Sequence, residues 1–205
     1  MLPMPSRGLY ALTQTEGKGF EEIMTHTEAV LKGGAALIQY RDKNPIDAVS
    51  FGRKLVHCCH HYHVPLIIND DIHLAAAVNA DGVHLGKEDG DIQQARKILG
   101  DNAIIGLSCY NSLDDARMAQ DNGASYVAFG CFFSSTSKPF AQPAQLNTLI
   151  QARKVLSIPI VAIGGILPEN GRQLIEAGAD LLAVIGGLCT HQPQQTAQHY
   201  VSLFR

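Results

Sequence analysis

Two aspartates and an asparagine interrupt an otherwise apolar stretch in the first half of the chain. The run Leu66–Ile68 is typical of a buried strand, and Asn69, Asp70 and Asp71 follow it before a helical apolar pattern resumes at Ile72. Carboxylate oxygens at the tip of a rigid strand are suitable ligands for Mg²⁺. An aspartate is also favoured as a helix N-cap. The spacing favours Asp71 as the cap, and for Asp70 both interpretations stay open.

A second carboxylate, and a group of one amide and two cationic side chains, follow the apolar runs on either side of this one in the sequence. Asp89 follows the fourth run, whereas Gln39, Arg41 and Lys43 occupy alternate positions at the end of the second and are expected to point the same way. Two carboxylates repel each other unless a divalent ion lies between them, and a substrate diphosphate would supply further oxygen ligands. Arginine can hold such a diphosphate with a bidentate fork. We therefore predict Mg²⁺ bound by Asp70 and Asp89, beside a cationic diphosphate site.

Glycine pairs end the last two apolar runs, in the segments AIGGI and VIGGL. Glycine exposes its backbone N–H group, and barrels of parallel strands often bind a phosphate at the loops after strands 7 and 8. We assign Gly165, Ile185 and Gly186 to a phosphate site. The alternative is that the glycines only permit tight turns.

The elements that must position these residues repeat along the chain. Four helical segments end in a turn residue followed by an apolar run, and the turn residues are Gly34, Asn79, Gly123 and Gly178. Further apolar runs lie between them, so about eight strands alternate with about eight helices. Six of the helices are expected at 20–31, 48–62, 92–99, 113–120, 146–156 and 171–177. This pattern predicts an α/β fold, a (β/α)8 TIM barrel forming a single compact domain over residues 1–205, with an open doubly wound sheet as the competitor.

Composition limits the partners and the compartment. The 205 residues are 46% hydrophobic and 17% charged, with a net charge of −3, so no overall field would attract nucleic acid or an anionic membrane. Five cysteines without framework spacing and an N-terminus without a signal-peptide pattern predict a cytoplasmic location. No apolar run approaches the roughly 18 to 20 residues that span a bilayer.

The motifs LIQYRDK, IINDD, ADGVHLGKED, IIGLS, YVAFGCFFSSTSKP, IPIVAIGGI and GADLLAVIGG, in this order and spacing, resemble the thiamine-phosphate synthase family, also called thiamine-phosphate pyrophosphorylase. The resemblance covers essentially the whole chain. It implies a TIM-barrel transferase that joins 4-amino-5-hydroxymethyl-2-methylpyrimidine diphosphate to a thiazole phosphate, or to its 2-carboxy form, and releases pyrophosphate. It also implies a requirement for Mg²⁺ and a dissociative displacement through a pyrimidine cation.

The same resemblance assigns the site residues by matching position. The metal ligands would be Asp70 and Asp89. The pyrimidine diphosphate would contact Gln39, Tyr40, Arg41, Asp42, Lys43, Asn69, Ser108 and Lys138. The thiazole phosphate would contact Ser135, Thr136, Ser137, Gly165, Ile185 and Gly186. Arg41, Lys43, Ser108 and Lys138 would be catalytic, because leaving-group neutralisation and alignment need cations and donors more than a general base.

The sequence departs from the usual family pattern at several positions. Asp71 and His73 stand where arginine and aspartate are frequent. The contacts that hold the strand tip at Asn69 and Asp70 are therefore expected to differ from those usual in the family. Cys131 replaces a common proline, and Gly186 replaces a common serine and so removes a side-chain donor. Ser135 and Ser137 replace threonines but keep the hydroxyl groups.

Two other functions and one other metal site deserve comparison. A sister group of thiazole tautomerases carries a histidine at the position of Cys131 and tends to lose the carboxylates and cations that are present here. A non-catalytic phosphate sensor would need only the glycine site, and a pyrophosphate-release assay separates it from an enzyme.

The segment HCCHHYH, residues 57–63, suggests a zinc site. Its adjacent cysteines lack the spacing of a structural zinc site, and an amphipathic helix is favoured. Residues 132–142 are a candidate lid, and oligomeric state stays open.

Overall fold

The computed structural model describes residues 1–43, 45–86, 91–134 and 143–205. Within these residues, eight strands alternate with eight α-helices. The strands are β1 Gly8–Leu12, β2 Leu37–Tyr40, β3 Leu66–Asn69, β4 Gly82–Leu85, β5 Ile104–Tyr110, β6 Tyr126–Gly130, β7 Ile160–Ile163 and β8 Leu181–Val184. The helices are α1 Phe20–Lys32, α2 Ala48–His61, α3 Ile72–Val78, α4 Ile92–Leu99, α5 Leu113–Asp121, α6 Leu146–Val155, α7 Pro168–Glu176 and α8 Pro193–Ser202. A short 3-10 helix, Gly186–Leu188, follows β8.

The eight strands form one closed parallel barrel in chain order. Closure occurs between β1 and β8, where Tyr10 pairs with Ala183, and Tyr10 also pairs with Leu37 of β2. The predicted (β/α)8 barrel is therefore confirmed, and the open doubly wound sheet is wrong, because an open sheet leaves its first and last strands unpaired.

Each predicted turn residue adopts a backbone conformation that its type permits. Gly34, Gly123 and Gly178 have φ values of 94°, 88° and 118°, and Asn79 ends α3 in the left-handed region at φ 56°. Glycine reaches positive φ without steric cost, and asparagine tolerates it better than most residues. These residues reverse the chain from each helix into the next strand.

The apolar side chains divide into two layers because successive strand residues face opposite sides of the sheet. The outer layer packs strands against helices, and the inner layer fills the barrel lumen. Tyr10, Ile67, Tyr126 and Leu181 belong to the lumen layer. Packing on both faces of the sheet therefore fixes the positions of the strand ends. In the portion of the chain described, no helix has the length and apolar character needed to cross a membrane.

Helix α2 contains the histidine- and cysteine-rich segment as an amphipathic element. Cys59 is fully buried in the outer layer, whereas His57 and His61 are exposed. His60 donates from Nε2 to the carboxylate of Asp81 at 2.7 Å. The favoured interpretation of this segment, a helix packed on the barrel, agrees with this placement.

Asp81 is a buried carboxylate at the amino end of the barrel. It accepts hydrogen bonds from the backbone N–H groups of Leu66 and Leu2, at 2.9 and 2.6 Å, in addition to His60. We expect Asp81→Ala to lower the free energy of unfolding by about 3 kcal/mol, because it leaves buried donors without an acceptor. Urea denaturation measures the change. Asp91→Ala, which removes only an exposed N-cap, should cost about 1 kcal/mol, and equal losses in the two variants would contradict the buried role of Asp81.

Candidate active site

A cavity of about 750 Å³ opens at the carboxyl end of the barrel. Residues from the segments after β1 and β2, from α1 and α2, and from the end of β8 line it. The polar and charged lining residues include Thr13, Thr15, Glu16, Lys18, Arg41, Asp42, Lys43, Asp47, Ser50 and Lys54. Ile185 closes the side nearest β8. The cavity thus lies between the cationic loop after β2 and Ile185 at the end of β8.

The loop that carries the cations is fixed to the neighbouring strand by hydroxyl groups. The backbone N–H of Arg41 donates to Oγ1 of Thr13 at 3.0 Å, and the carbonyl of Arg41 accepts from Thr13 and Thr15 at 3.3 and 3.4 Å. The backbone N–H of Thr13 also bonds the carbonyl of Gln39. The guanidinium of Arg41 therefore extends from a backbone that β1 holds in place.

The four cations that line the cavity differ in their neighbours. Lys18 lies 3.6 Å from Glu22, and the Lys54 ammonium lies 4.3 Å from the centroid of the Phe20 ring. Within the described ranges, the charged groups of Arg41 and Lys43 make no ion pair. Their charge is thus available to an anion that enters the cavity.

The tip of β3 has the conformation of a fixed turn. Asp70 adopts φ 63°, and its backbone N–H donates to the carbonyl of His84 on β4 at 2.8 Å. Asn69 donates from its side-chain amide to the exposed carboxylate of Asp70. A left-handed aspartate is uncommon and costs roughly 1–2 kcal/mol, so surrounding bonds must hold it. Asp71, by contrast, caps α3 by accepting from Leu74 N–H at 2.8 Å, as predicted.

A continuous line of hydrogen-bonded side chains, here called the lumen line, crosses the barrel lumen. Its members are Gln39, Tyr10, Tyr126, His84 and Ser108. Gln39 bonds Tyr10 at 2.6 Å, and Tyr10 bonds Tyr126 at 2.8 Å. Tyr126 then bonds Nδ1 of His84 at 2.8 Å, and Nε2 of His84 bonds Ser108 at 2.9 Å. The sequence analysis selected Gln39 and Ser108 but missed the three residues that join them. The sequence signal for these three residues is weak: each is a ring with a hydrogen-bonding group, placed in a strand at a position whose side chain faces the lumen.

The two glycine pairs serve different purposes. Gly164 and Gly165 have φ values of 107° and 61°, and a Cβ at Gly165 would lie 2.6 Å from the Ser134 carbonyl. Gly165 is therefore needed for the close approach of the loop after β6. A Cβ at Gly186 would meet nothing within 4 Å. Of the four glycines in these two pairs, Gly186 alone has open space beside it among the described residues.

Two cysteines that lie near the mouth differ in surroundings. Cys109 is fully buried, and burial raises the pKa of its thiol to about 12. The Cys131 thiol donates to the carbonyl of Phe133 at 2.8 Å. A protonated, buried thiol is a poor nucleophile, so Cys109 is unsuited to covalent catalysis.

A family profile described as "Thiamine monophosphate synthase" matches residues 9–188, a range that reaches all eight strands of the barrel. This chain belongs to that family. The resemblance to the thiamine-phosphate synthase family seen in the motifs is thus confirmed over most of the chain.

Similar proteins with assigned names agree with this membership. The chain is 53% identical over 184 residues to a thiamine-phosphate synthase of Nitrosococcus oceani, covering 89% of this chain and 85% of that protein. It is 50% identical over 186 residues to a thiamine-phosphate synthase of Methylococcus capsulatus, covering 90% and 83%. Among solved structures, a thiamine phosphate pyrophosphorylase from Pyrococcus furiosus superposes with a TM-score of 0.87 at 32% identity, covering 97% and 95%.

The structure places the predicted site residues of this family member in several groups. Asn69 and Asp70 form the tip of β3, and Gly165 and Gly186 follow β7 and β8. Tyr40, Arg41, Asp42, Lys43 and Ile185 line the cavity. Gln39 and Ser108 lie in the lumen line, so Gln39 does not share the surroundings of Arg41 and Lys43, because β2 ends at Tyr40 and the alternation stops there. Five predicted residues, Asp89, Ser135, Thr136, Ser137 and Lys138, lie outside the described residues.

Proposed function

We propose that this chain is a thiamine-phosphate synthase that condenses 4-amino-5-hydroxymethyl-2-methylpyrimidine diphosphate with a thiazole phosphate and releases pyrophosphate. The observation that carries the proposal is the position of Arg41 and Lys43, two cations without ion pairs in the described residues, on the wall of a cavity at the carboxyl end of a barrel of this family. A diphosphate is the leaving group that such a pair fits.

Magnesium is part of the proposal. The exposed carboxylate of Asp70 stands at a strand tip fixed by the carbonyl of His84, and a hard anionic oxygen in a preset position suits Mg²⁺. Asp89, beyond the described residues, would be its second protein ligand. Bound there, the ion would neutralise the leaving diphosphate.

Apart from neutralisation of the leaving group by the ion, catalysis would depend on residues of this chain that hold and align the substrates. Arg41 and Lys43 would bind the diphosphate, and Gln39 and Ser108 would bind the pyrimidine ring at the carboxyl end of the barrel, above the packed lumen layer. As the C–O bond to the diphosphate breaks, the electron-rich aminopyrimidine stabilises the cation, and the thiazole nitrogen forms the new C–N bond. Such a displacement depends on leaving-group stabilisation and orientation, and no general base is required.

The thiazole phosphate would enter from the side of β7 and β8. Gly186 would offer its backbone N–H to the phosphate across open space. Ser135, Thr136, Ser137 and Lys138 would complete this site from the loop after β6. Both proposed substrates are small molecules. The cytoplasmic location remains a prediction, and the oligomeric state stays open, with a homo-oligomer as one possibility.

The proposal is tested with the purified protein, both substrates and Mg²⁺. We expect stoichiometric formation of thiamine phosphate and pyrophosphate, measured by chromatography and a coupled pyrophosphate assay. A chelator should abolish turnover, and added Mg²⁺ should restore it. The 2-carboxy thiazole is compared in parallel with detection of CO2. Pyrophosphate release without thiamine phosphate, or no turnover with either thiazole, would contradict the proposal.

A further inference from the structure

The two loops that carry the glycine pairs meet each other. They are the β7 loop, residues 164–167, and the β8 loop, residues 185–192. Ile166 directly follows Gly165 on the first, and Gly187 directly follows Gly186 on the second. A Cβ on Gly187 would lie 2.9 Å from the Ile166 carbonyl oxygen, so a glycine is needed for this approach. The contact between the loops therefore lies next to the two glycines assigned to the thiazole phosphate.

The hydroxyl group of Tyr200, on α8, lies at the point where the loops meet. It donates to the Ile166 carbonyl at 2.9 Å, and a Cβ on Gly187 would lie 2.2 Å from its oxygen. Tyr200 is fully buried, and burial raises the pKa of its phenol, so the hydroxyl keeps its proton near neutral pH and acts as a donor. One hydroxyl group thus bonds the β7 loop and lies against the β8 loop.

Helix α8 is packed closely on α1, which fixes the position of Tyr200. A Cβ on Gly33, the residue directly after α1, would lie 2.5 Å from the Cβ of Ala197 and 2.6 Å from the Gln194 carbonyl oxygen. Ala197 and Tyr200 are three residues apart on one face of α8, and both are fully buried. The tyrosine is therefore held by its own helix, independently of the two loops that its hydroxyl contacts.

His26, on α1, holds the β8 loop at a second point. Its Nε2 lies 2.9 Å from the carbonyl oxygen of Leu188. A carbonyl oxygen can only accept, so Nε2 carries the proton and donates it. Within the loop, the backbone N–H groups of Leu188 and Cys189 donate to the carbonyls of Ile185 and Gly186, at 3.1 and 3.0 Å. A restraint on Leu188 is therefore passed by this turn to Ile185 and Gly186.

We propose that Tyr200 and His26 are positioning residues that hold the β7 and β8 loops in the arrangement that binds the phosphate group of the thiazole substrate. This inference rests on the proposed function, which places that phosphate at Gly165, Ile185 and Gly186. Backbone N–H groups bind an anion only at short distances and favourable angles, and they cannot adjust as side chains do. The two residues would thus set the affinity for the phosphate, although neither lines the cavity at the barrel mouth.

The sequence motifs selected neither residue. The family profile ends at residue 188, before Tyr200, so membership of the family assigns no role to this tyrosine. His26 lies within the profile, but on a helix that none of the motifs includes. Both residues act on backbone groups that are distant from them in the sequence, and only the structure brings them together.

Steady-state kinetics with thiazoles that carry or lack the phosphate test the inference. The alcohol 4-methyl-5-(2-hydroxyethyl)thiazole lacks it and is expected to compete with the thiazole phosphate. Tyr200→Phe keeps the ring and removes the hydroxyl. We expect the KM for the thiazole phosphate to rise by about tenfold, because the donors are no longer held in place. The values of kcat, the inhibition constant of the alcohol and the KM for the pyrimidine diphosphate should stay within about twofold.

Substitutions of His26 test the second contact in the same way. His26→Ala removes the donor to the Leu188 carbonyl and should also raise the KM for the thiazole phosphate by about tenfold. His26→Gln supplies an amide donor of similar reach and should restore most of the affinity. A role in folding alone would lower the free energy of unfolding without separating the phosphate from the alcohol.

Tyr62→Phe is the matched control for Tyr200→Phe. It removes a tyrosyl hydroxyl that donates to Glu28 at the carboxyl end of α2, and every kinetic constant should remain unchanged. Urea denaturation shows whether each variant folds. If Tyr200→Phe does not fold, His26→Ala decides, because His26 is only half-buried and its loss leaves the core intact.

The outcomes are separate from those of the proposed function. If thiamine phosphate is formed but the folded variants keep the original KM for the thiazole phosphate, the inference is overturned and the function stands. An equal rise in the inhibition constant of the alcohol also overturns it, since the effect would then not lie at the phosphate. Absence of turnover with either thiazole contradicts the function itself.

Discussion

Replacing Asp70 by alanine is expected to lower kcat by at least about a hundredfold while the barrel stays folded. The side chain is exposed at a strand tip, so its loss removes no core packing. Its carboxylate is the described ligand proposed for Mg²⁺, and without it the developing charge on the leaving diphosphate is poorly neutralised. Initial rates at saturating substrates over a range of Mg²⁺ concentrations measure the effect. Asp89→Ala should behave in the same way.

Asp71 provides the matched control, because it is an adjacent aspartate with a different task. Asp71→Ala removes the N-cap of α3 and should cost about 1 kcal/mol of stability while kcat remains close to that of the unsubstituted protein. If Asp70→Ala retained full turnover, or if both variants lost it equally, Asp70 would not be a metal ligand.

Replacing Arg41 by alanine is expected to lower kcat/KM for the pyrimidine diphosphate by about a thousandfold. The hydroxyl groups of Thr13 and Thr15 hold the Arg41 backbone, so the guanidinium is presented in a fixed direction toward the cavity. Arg41→Lys keeps the charge but loses the bidentate fork, and it should recover only part of the loss. Steady-state kinetics with the thiazole phosphate at saturation separate kcat from KM.

Lys54 is the matched control for Arg41. It lines the same cavity, but its ammonium group lies over the Phe20 ring. Lys54→Ala should change kcat/KM by no more than about threefold, because the ammonium group of this exposed residue is already engaged with the Phe20 ring. Equal losses in Arg41→Ala and Lys54→Ala would show that only the overall charge of the cavity matters. Lys138→Ala, which also removes a proposed catalytic cation, should resemble Arg41→Ala.

The sequence by itself was sufficient to predict the barrel. Apolar runs of four to seven residues alternate with helical periodicity, and both features are local properties of the chain. Helix α4 begins and ends where the pattern indicated, at Ile92 and Leu99, whereas α7 begins earlier than expected, at Pro168, because proline is well suited to the first helical turn. The turn residues were equally predictable, since positive φ favours glycine strongly and asparagine to a lesser extent.

The polar residues at the strand ends were also predictable, as were the motifs of the family. Parallel strands bring their carboxyl ends to one face, so Arg41, Asn69 and Ser108 could be assigned to that face without coordinates. Assignment of Asp71 as a cap followed from the helical spacing of the residues after it. These inferences need only the identity of a residue and its distance from the end of an element.

Only the tertiary structure decided which side chains meet. Gln39 and Arg41 are two residues apart, yet one lies in the buried lumen and the other lines the cavity, because β2 ends between them. Tyr126 and His84 come into contact because strand register places them on either side of Gly106, whose missing side chain leaves space for a ring. Closure of the barrel links the register of all eight strands, so no single segment of the sequence determines which side chains meet across it.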